Sequence, residues 1–92
     1  MKTILVVCGS GIATSTAVLC DLKAKLEERG MGVQFKQCDV FNIRNNLDGV
    51  SLIAYTCALK EDYGVPAVSA VPILTGIGVD AVVDKIVAVL NA

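Results

Sequence analysis

The sequence predicts a single α/β domain built on a four-stranded parallel sheet, strand order 2-1-3-4, with helices on both faces. Three observations carry that prediction. Short apolar runs rich in β-branched residues alternate along the chain with longer segments of helical period. Glycine clusters stand at the joints, at residues 9–11 and 76–78, where the backbone must turn tightly into a helix. A length of 92 residues suffices for one buried core but not for a second substrate domain, so residues 1–92 are read as one unit.

Thr3-Ile4-Leu5-Val6-Val7 is the first strand, an unbroken apolar run of the kind that a strand covered on both faces requires. Residues 14–29 read as the first helix. Val18, Leu22 and Leu26 recur on one face, while Lys23, Lys25, Glu27 and Glu28 lie largely on the other. Gly30 follows where a helix end takes a left-handed residue. Residues 33–38 alternate apolar and polar, which fits a strand nearer the sheet edge, and 41–47 are expected to form a short helix. Residues 50–55 give the third strand and Thr56-Cys57-Ala58 a loop. Val65-Pro66-Ala67-Val68-Ser69 is a short fourth strand whose proline sits at its entry, where a missing N–H is tolerable. Val79, Val82, Val83, Ile86, Val87 and Leu90 recur at helical spacing and predict a closing amphipathic helix docked on the sheet.

Composition narrows the function classes. Hydrophobic residues make up 54% and charged residues 18%, a balance that supports a packed interior rather than a disordered chain. Lys and Arg total 8 against 9 Asp and Glu, without a run of either sign, so a nucleic-acid partner is not expected. Met1-Lys2 leads directly into a strand, without the apolar core and cleavage site of a signal peptide. The apolar C-terminal segment is interrupted by Asp80, Asp84 and Lys85, which argues against a membrane span. A cytoplasmic protein is therefore expected. The 4 cysteines, Cys8, Cys20, Cys38 and Cys57, include no C-x-x-C pair, and histidine is absent. Neither a metal site nor a disulfide framework is expected from that set, and no cofactor is implied.

The chemistry is read at Cys8, where the first strand meets the turn Gly9-Ser10-Gly11-Ile12-Ala13 and the polar string Thr14-Ser15-Thr16. The free N–H groups of such a turn and of a helix N-terminus form a concave anion site, reinforced by the helix dipole. Phosphate fits such a nest, and the same setting lowers the pKa of a thiol. Most free cysteines behave as small buried hydrophobes, and Cys20, within the helix, and Cys38, ending a strand, are read that way. Cys57 stands between the two readings, because its loop borders the crevice expected between the first and third strands at the carboxyl end of the sheet. The 75–78 turn is expected to approach the same crevice.

The turn lacks the third glycine of a dinucleotide fingerprint and the Gly-Lys-Ser/Thr ending of an NTPase loop. The fold class is Rossmann-like, and the opening strand, cysteine and anion loop are similar to those of low-molecular-weight tyrosine phosphatases. Those enzymes carry an arginine six positions after the cysteine; this chain has Thr14 there. Without a guanidinium clamp, fast hydrolysis lacks support, and a loop that holds a phosphoryl group without helping water remove it suits a carrier.

The segment from Ile4 through Cys8 to Thr16, together with Val71-Pro72-Ile73-Leu74-Thr75-Gly76-Ile77-Gly78, resembles the enzyme IIB component of the bacterial sugar phosphotransferase system, galactitol type. The resemblance runs over nearly the whole chain. It implies a phosphocysteine carrier, with Cys8 taking a phosphoryl group from a phosphohistidine on the IIA partner. The group then passes to a sugar alcohol held by the membrane-embedded IIC partner, so that a cytoplasmic, monomeric domain associates with the membrane through IIC. Amides of Gly9, Ser10, Gly11, Ile12, Ala13, Thr14 and Ser15 are the expected phosphate ligands, with the Ser10, Thr14 and Ser15 hydroxyls as candidate further donors. Two alternatives stand beside this reading: a thiol redox or sensor module using Cys8 and Cys57, and a relative of the low-molecular-weight phosphatases.

Overall fold

Four strands, β1 (Lys2–Cys8), β2 (Val33–Asp39), β3 (Leu52–Tyr55) and β4 (Ala67–Ser69), lie side by side in the order β2-β1-β3-β4. Every neighbouring pair is parallel, as expected. The structure is a computed structural model and describes residues 2–8, 12–56, 59 and 63–91. Among the described residues three α-helices connect and close the sheet: α1 (Ile12–Glu28), α2 (Val71–Thr75) and α3 (Val79–Leu90).

The apolar run of β1 is explained by its central place, since residues 3–7 are all buried. Period-two alternation sends Ile4 and Val6 into one cluster and Leu5 and Val7 into another. The first cluster is the larger: it joins Val18, Leu22 and Leu26 of α1 with Ile73 of α2 and with Val82, Val83, Ile86 and Leu90 of α3. The faces are covered unequally. All three α-helices pack on the Ile4 and Val6 side, whereas Leu5, Val7 and Ile53 are covered by Val40 and Ile43 of the segment after β2 and by loop residues such as Leu47 and Tyr63.

The segment expected as one helix over 41–47 is instead two 3₁₀ turns, Val40–Asn42 and Arg44–Asn46. Asparagine side chains compete with the backbone for hydrogen bonds, and here Asn46 Nδ2 donates to the Asn42 carbonyl at 2.8 Å. Helix α1 opens at Ile12, two residues before the expected start. It closes as anticipated, with Gly30 at φ 73° donating its N–H to Glu27 O (3.0 Å) and Met31 donating to Leu26 O (3.0 Å). The third and fourth strands are shorter than their apolar runs, and Pro66 directly precedes β4, its carbonyl accepting from Ile53 N at 2.8 Å.

Helix α2 was not anticipated from periodicity because five residues are too few to display a period. Its signals are local: Pro72 in the first turn and Gly76 just past the end at φ 76°, donating its N–H to Pro72 O. Cys20 corrects an expectation, since it is exposed on α1 rather than filling the core. It sits off the face defined by Val18, Leu22 and Leu26, so its side chain faces solvent. Cys38 is partly buried and packs on the second cluster, consistent with a small hydrophobe.

Candidate functional site

The carboxyl ends of the strands gather the chemistry-bearing positions. Cys8 is the last residue of β1, in register with Asp39 at the end of β2, and Val7 is in register with Tyr55 at the end of β3. Of the expected phosphate ligands, Ile12, Ala13, Thr14 and Ser15 are the first four residues of α1, in the turn where helix amides are not all paired within the helix. The N-terminus of α1, with the positive end of its dipole, therefore follows the Cys8 strand end after a short connection. Gly9, Ser10 and Gly11 lie outside the described residues, as does Cys57.

The strand end is braced from two sides. Thr56, first residue past β3, donates both its N–H (3.0 Å) and its hydroxyl (3.3 Å) to the carbonyl of Val7, the residue before Cys8. On the other side the Thr16 hydroxyl of α1 lies 3.3 Å from Gln37 Oε1 of β2, tying the early part of the helix to the edge strand. Gln37 shares the helical face of β2 with Val33 and Phe35 by period two, but it is exposed, because the sheet opens at this end. A polar pair there needs no buried partner.

Asp39 was missed by sequence reasoning. It caps the turn that follows β2, its Oδ1 accepting from Phe41 N at 3.1 Å and from Asn42 Nδ2 at 2.6 Å. The signal was present: an aspartate preceding a polar, asparagine-rich segment is a capping signature. The carboxylate in register with Cys8 is thus engaged in a turn of its own strand's exit. The 71–78 segment reaches the same edge. Ala70 N donates to Tyr55 O at 2.7 Å, which holds the start of α2 at the end of β3. A shallow groove between Leu19 and Lys23 of α1 and Phe35 and Lys36 of β2 also includes Thr3. Thr3 stands five positions before Cys8, roughly 16 Å along the strand, so that groove is separate from the thiol.

Comparison with known proteins adds an independent finding. The family model for lactose/cellobiose-specific IIB subunits of the PTS system matches residues 3–85. The chain is 39% identical over 91 residues to the "Putative phosphotransferase enzyme IIB component SgcB" of Escherichia coli K12, with 99% of each chain covered. It is 34% identical over 91 residues to the PTS system galactitol-specific EIIB component of the same strain, covering 98% of this chain and 97% of the relative. The galactitol-specific EIIB component of Shigella flexneri is 33% identical, with the same coverage.

Proposed function

The chain belongs to the lactose/cellobiose-specific IIB family of the phosphotransferase system, and we propose that within this phosphotransferase component Cys8 is the atom-bearing step of the relay. The observation that carries the proposal is the junction itself: Cys8 ends the central strand and α1 opens at Ile12, so the residue stands before a helix N-terminus. The Cys8 thiolate attacks the phosphorus of a phosphohistidine on a IIA partner in line. The S–P bond forms as the P–N bond breaks, and the imidazole leaves with the bonding electron pair. Onward transfer reverses the roles. A sugar hydroxyl oxygen on the IIC side attacks phosphorus, the S–P bond breaks, and the thiolate is restored.

The resulting phosphocysteine carries charge near −2 at neutral pH. Amides of residues 9–15 receive that charge, with Ser10, Thr14 and Ser15 hydroxyls as further donors. The chain has no histidine, so proton management falls to the two partners, and the carrier supplies position and charge stabilisation. Two of the relatives compared are galactitol-specific, and a sugar alcohol of that class is the substrate we assign to the pathway. The domain acts at the cytoplasmic face; among the described residues no helix is long and apolar enough to cross a membrane.

Incubation with a histidine-phosphorylated galactitol-type IIA component is expected to add one phosphoryl group, located on Cys8 by intact mass and peptide mapping. A label on Cys57 instead would refute the assignment. Turnover of p-nitrophenyl phosphate is expected to be negligible, because Thr14 stands where the phosphatases place arginine. Sustained hydrolysis would restore the phosphatase reading. Family membership does not favour the thiol redox alternative, which predicts paired loss of Cys8 and Cys57 thiols under mild oxidant.

A further inference from the structure

The hydroxyl of Thr56 makes a contact that the sheet does not need in order to pair its strands. Serine, threonine and aspartate at strand ends ordinarily bond to backbone a residue or two further on. Asp39 at the end of β2 accepts from Phe41 N at 3.1 Å, and Ser69 at the end of β4 accepts from Val71 N at 3.4 Å. Thr56, the first residue past β3, sends its hydroxyl 49 residues back along the chain, to the carbonyl of Val7 in the central strand at 3.3 Å. That oxygen already receives the Thr56 N–H at 3.0 Å, which closes the ladder between β1 and β3. The ladder is complete without the hydroxyl.

The Val7 carbonyl belongs to the peptide unit that joins Val7 to Cys8. A peptide unit is planar, so the orientation of that C=O also sets the Cys8 N–H and the Cys8 Cα. One N–H donor fixes the distance across the strands but leaves the plane free to rock about the bond. A carbonyl oxygen has two lone pairs, and a second donor to the same oxygen opposes the rocking.

The support behind Thr56 is continuous. The Tyr55 carbonyl and the Thr56 N–H are the two ends of one peptide unit. Ala70 N donates to Tyr55 O at 2.7 Å, and Thr56 N donates onward to Val7 O. Hydrogen-bonded peptides therefore run in a chain from the start of α2, through the end of β3, to the peptide that carries Cys8, and each bond in such a chain polarises the next. Val7↔Tyr55 is the last pair in register between β1 and β3, whereas on the other side Cys8 is still in register with Asp39. On the β3 side the two Thr56 bonds are, among the described residues, the closest backbone support to Cys8.

In-line transfer makes demands on that support. Sulfur must meet phosphorus along the axis of the breaking bond when it accepts the group and again when it gives the group up, and a misplacement of roughly 1 Å costs on the order of 100-fold in rate. Rocking of the Val7–Cys8 peptide displaces the residue that bears the sulfur. We propose that Thr56 is a positioning residue for phosphoryl transfer, its hydroxyl locking the Val7–Cys8 peptide so that Cys8 keeps one orientation through both transfers. The proposal rests on the reading of Cys8 as phosphoryl acceptor.

Thr56→Val keeps the backbone N–H, the branched shape and the closing bond of the ladder, and removes the hydroxyl alone; Thr56→Ser keeps the hydroxyl. Both are compared with wild type in transfer from a histidine-phosphorylated galactitol-type IIA component at varied donor concentration, and in return of the phosphoryl group to unphosphorylated IIA. Thr56→Val is expected to lower kcat about tenfold in both directions with donor KM within about twofold of wild type, and Thr56→Ser to hold kcat within about threefold. Tm is expected to stay within about 3 °C in both variants. A Thr56→Val kcat within twofold of wild type overturns the proposal. So does a Thr56→Ser variant as slow as Thr56→Val, which would assign the effect to packing of the methyl group, and so does a loss carried by donor KM, which would make Thr56 a docking residue. Peptide mapping of the phosphorylated wild type keeps the two claims apart. A label away from Cys8 removes the acceptor reading and the positioning role with it, whereas a label on Cys8 with normal transfer by Thr56→Val removes the positioning role alone.

Discussion

Serine in place of Cys8 is expected to lower phosphoryl transfer from IIA to sugar by on the order of 10³-fold or more, with folding intact. The reason is the nucleophile. A thiol near a helix N-terminus reaches the thiolate form close to neutrality, while a serine hydroxyl needs an adjacent base, and the chain contains no histidine to supply one. Any phosphoserine that did form would be a poor donor, since an alkoxide leaves far less readily than a thiolate. The substitution is sterically mild, and the backbone bonds bracing this strand end from Thr56 to Val7 do not involve the sulfur. Steady-state uptake-linked phosphorylation and a thermal melt, made on the same preparation, check both halves. Transfer within tenfold of wild type would remove Cys8 from the relay.

Leu22→Ala is expected to destabilise the domain by about 3 kcal/mol, one of the largest single effects available in a core of this size. Leu22 is fully buried in α1, within the cluster formed by Ile4, Val6 and the other helices. Truncation removes apolar contact and leaves a cavity that neighbours from three helices cannot close without moving. For a chain of 92 residues this corresponds to a fall in Tm of roughly 15 °C. Cys20→Ala, two residues away on the exposed side of the same helix, is expected to change stability by no more than about 0.5 kcal/mol. Comparable losses at the two positions, read by urea denaturation, would contradict the placement of α1 against the sheet.

The contrast between these neighbours shows what one-dimensional pattern can and cannot convey. Val18, Leu22 and Leu26 announce a buried stripe because their spacing repeats with the helix, and all three are buried. A single cysteine has no spacing. Its identity allows either core or surface, and only the orientation of α1 on the sheet decided that Cys20 is exposed. The same holds for short elements: α2 and the 3₁₀ turns are set by caps, prolines and asparagine side chains, which act over three or four residues and leave no periodic trace. Cys8 draws its proposed role from local sequence, because strand, glycines and hydroxyls adjoin there. The 56–58 loop and the 75–78 turn were expected at the Cys8 end, but Asp39 was not singled out, since it comes into line with Cys8 only through strand order and register.

Sequence by itself determined the alternation of strands and helices and the cysteine directly before a glycine-rich segment, because each is written in local spacing and backbone preference, whereas the order 2-1-3-4 was expected by analogy with doubly wound sheets and is set by strand pairing. Tertiary structure alone decided the particular contacts that distant segments make at the carboxyl edge: the Thr56 brace on Val7 and the aspartate in register with Cys8. Such neighbours are separated by tens of residues along the chain. Hydrogen-bonded pairing of strands brings them together, and no local propensity encodes that distance.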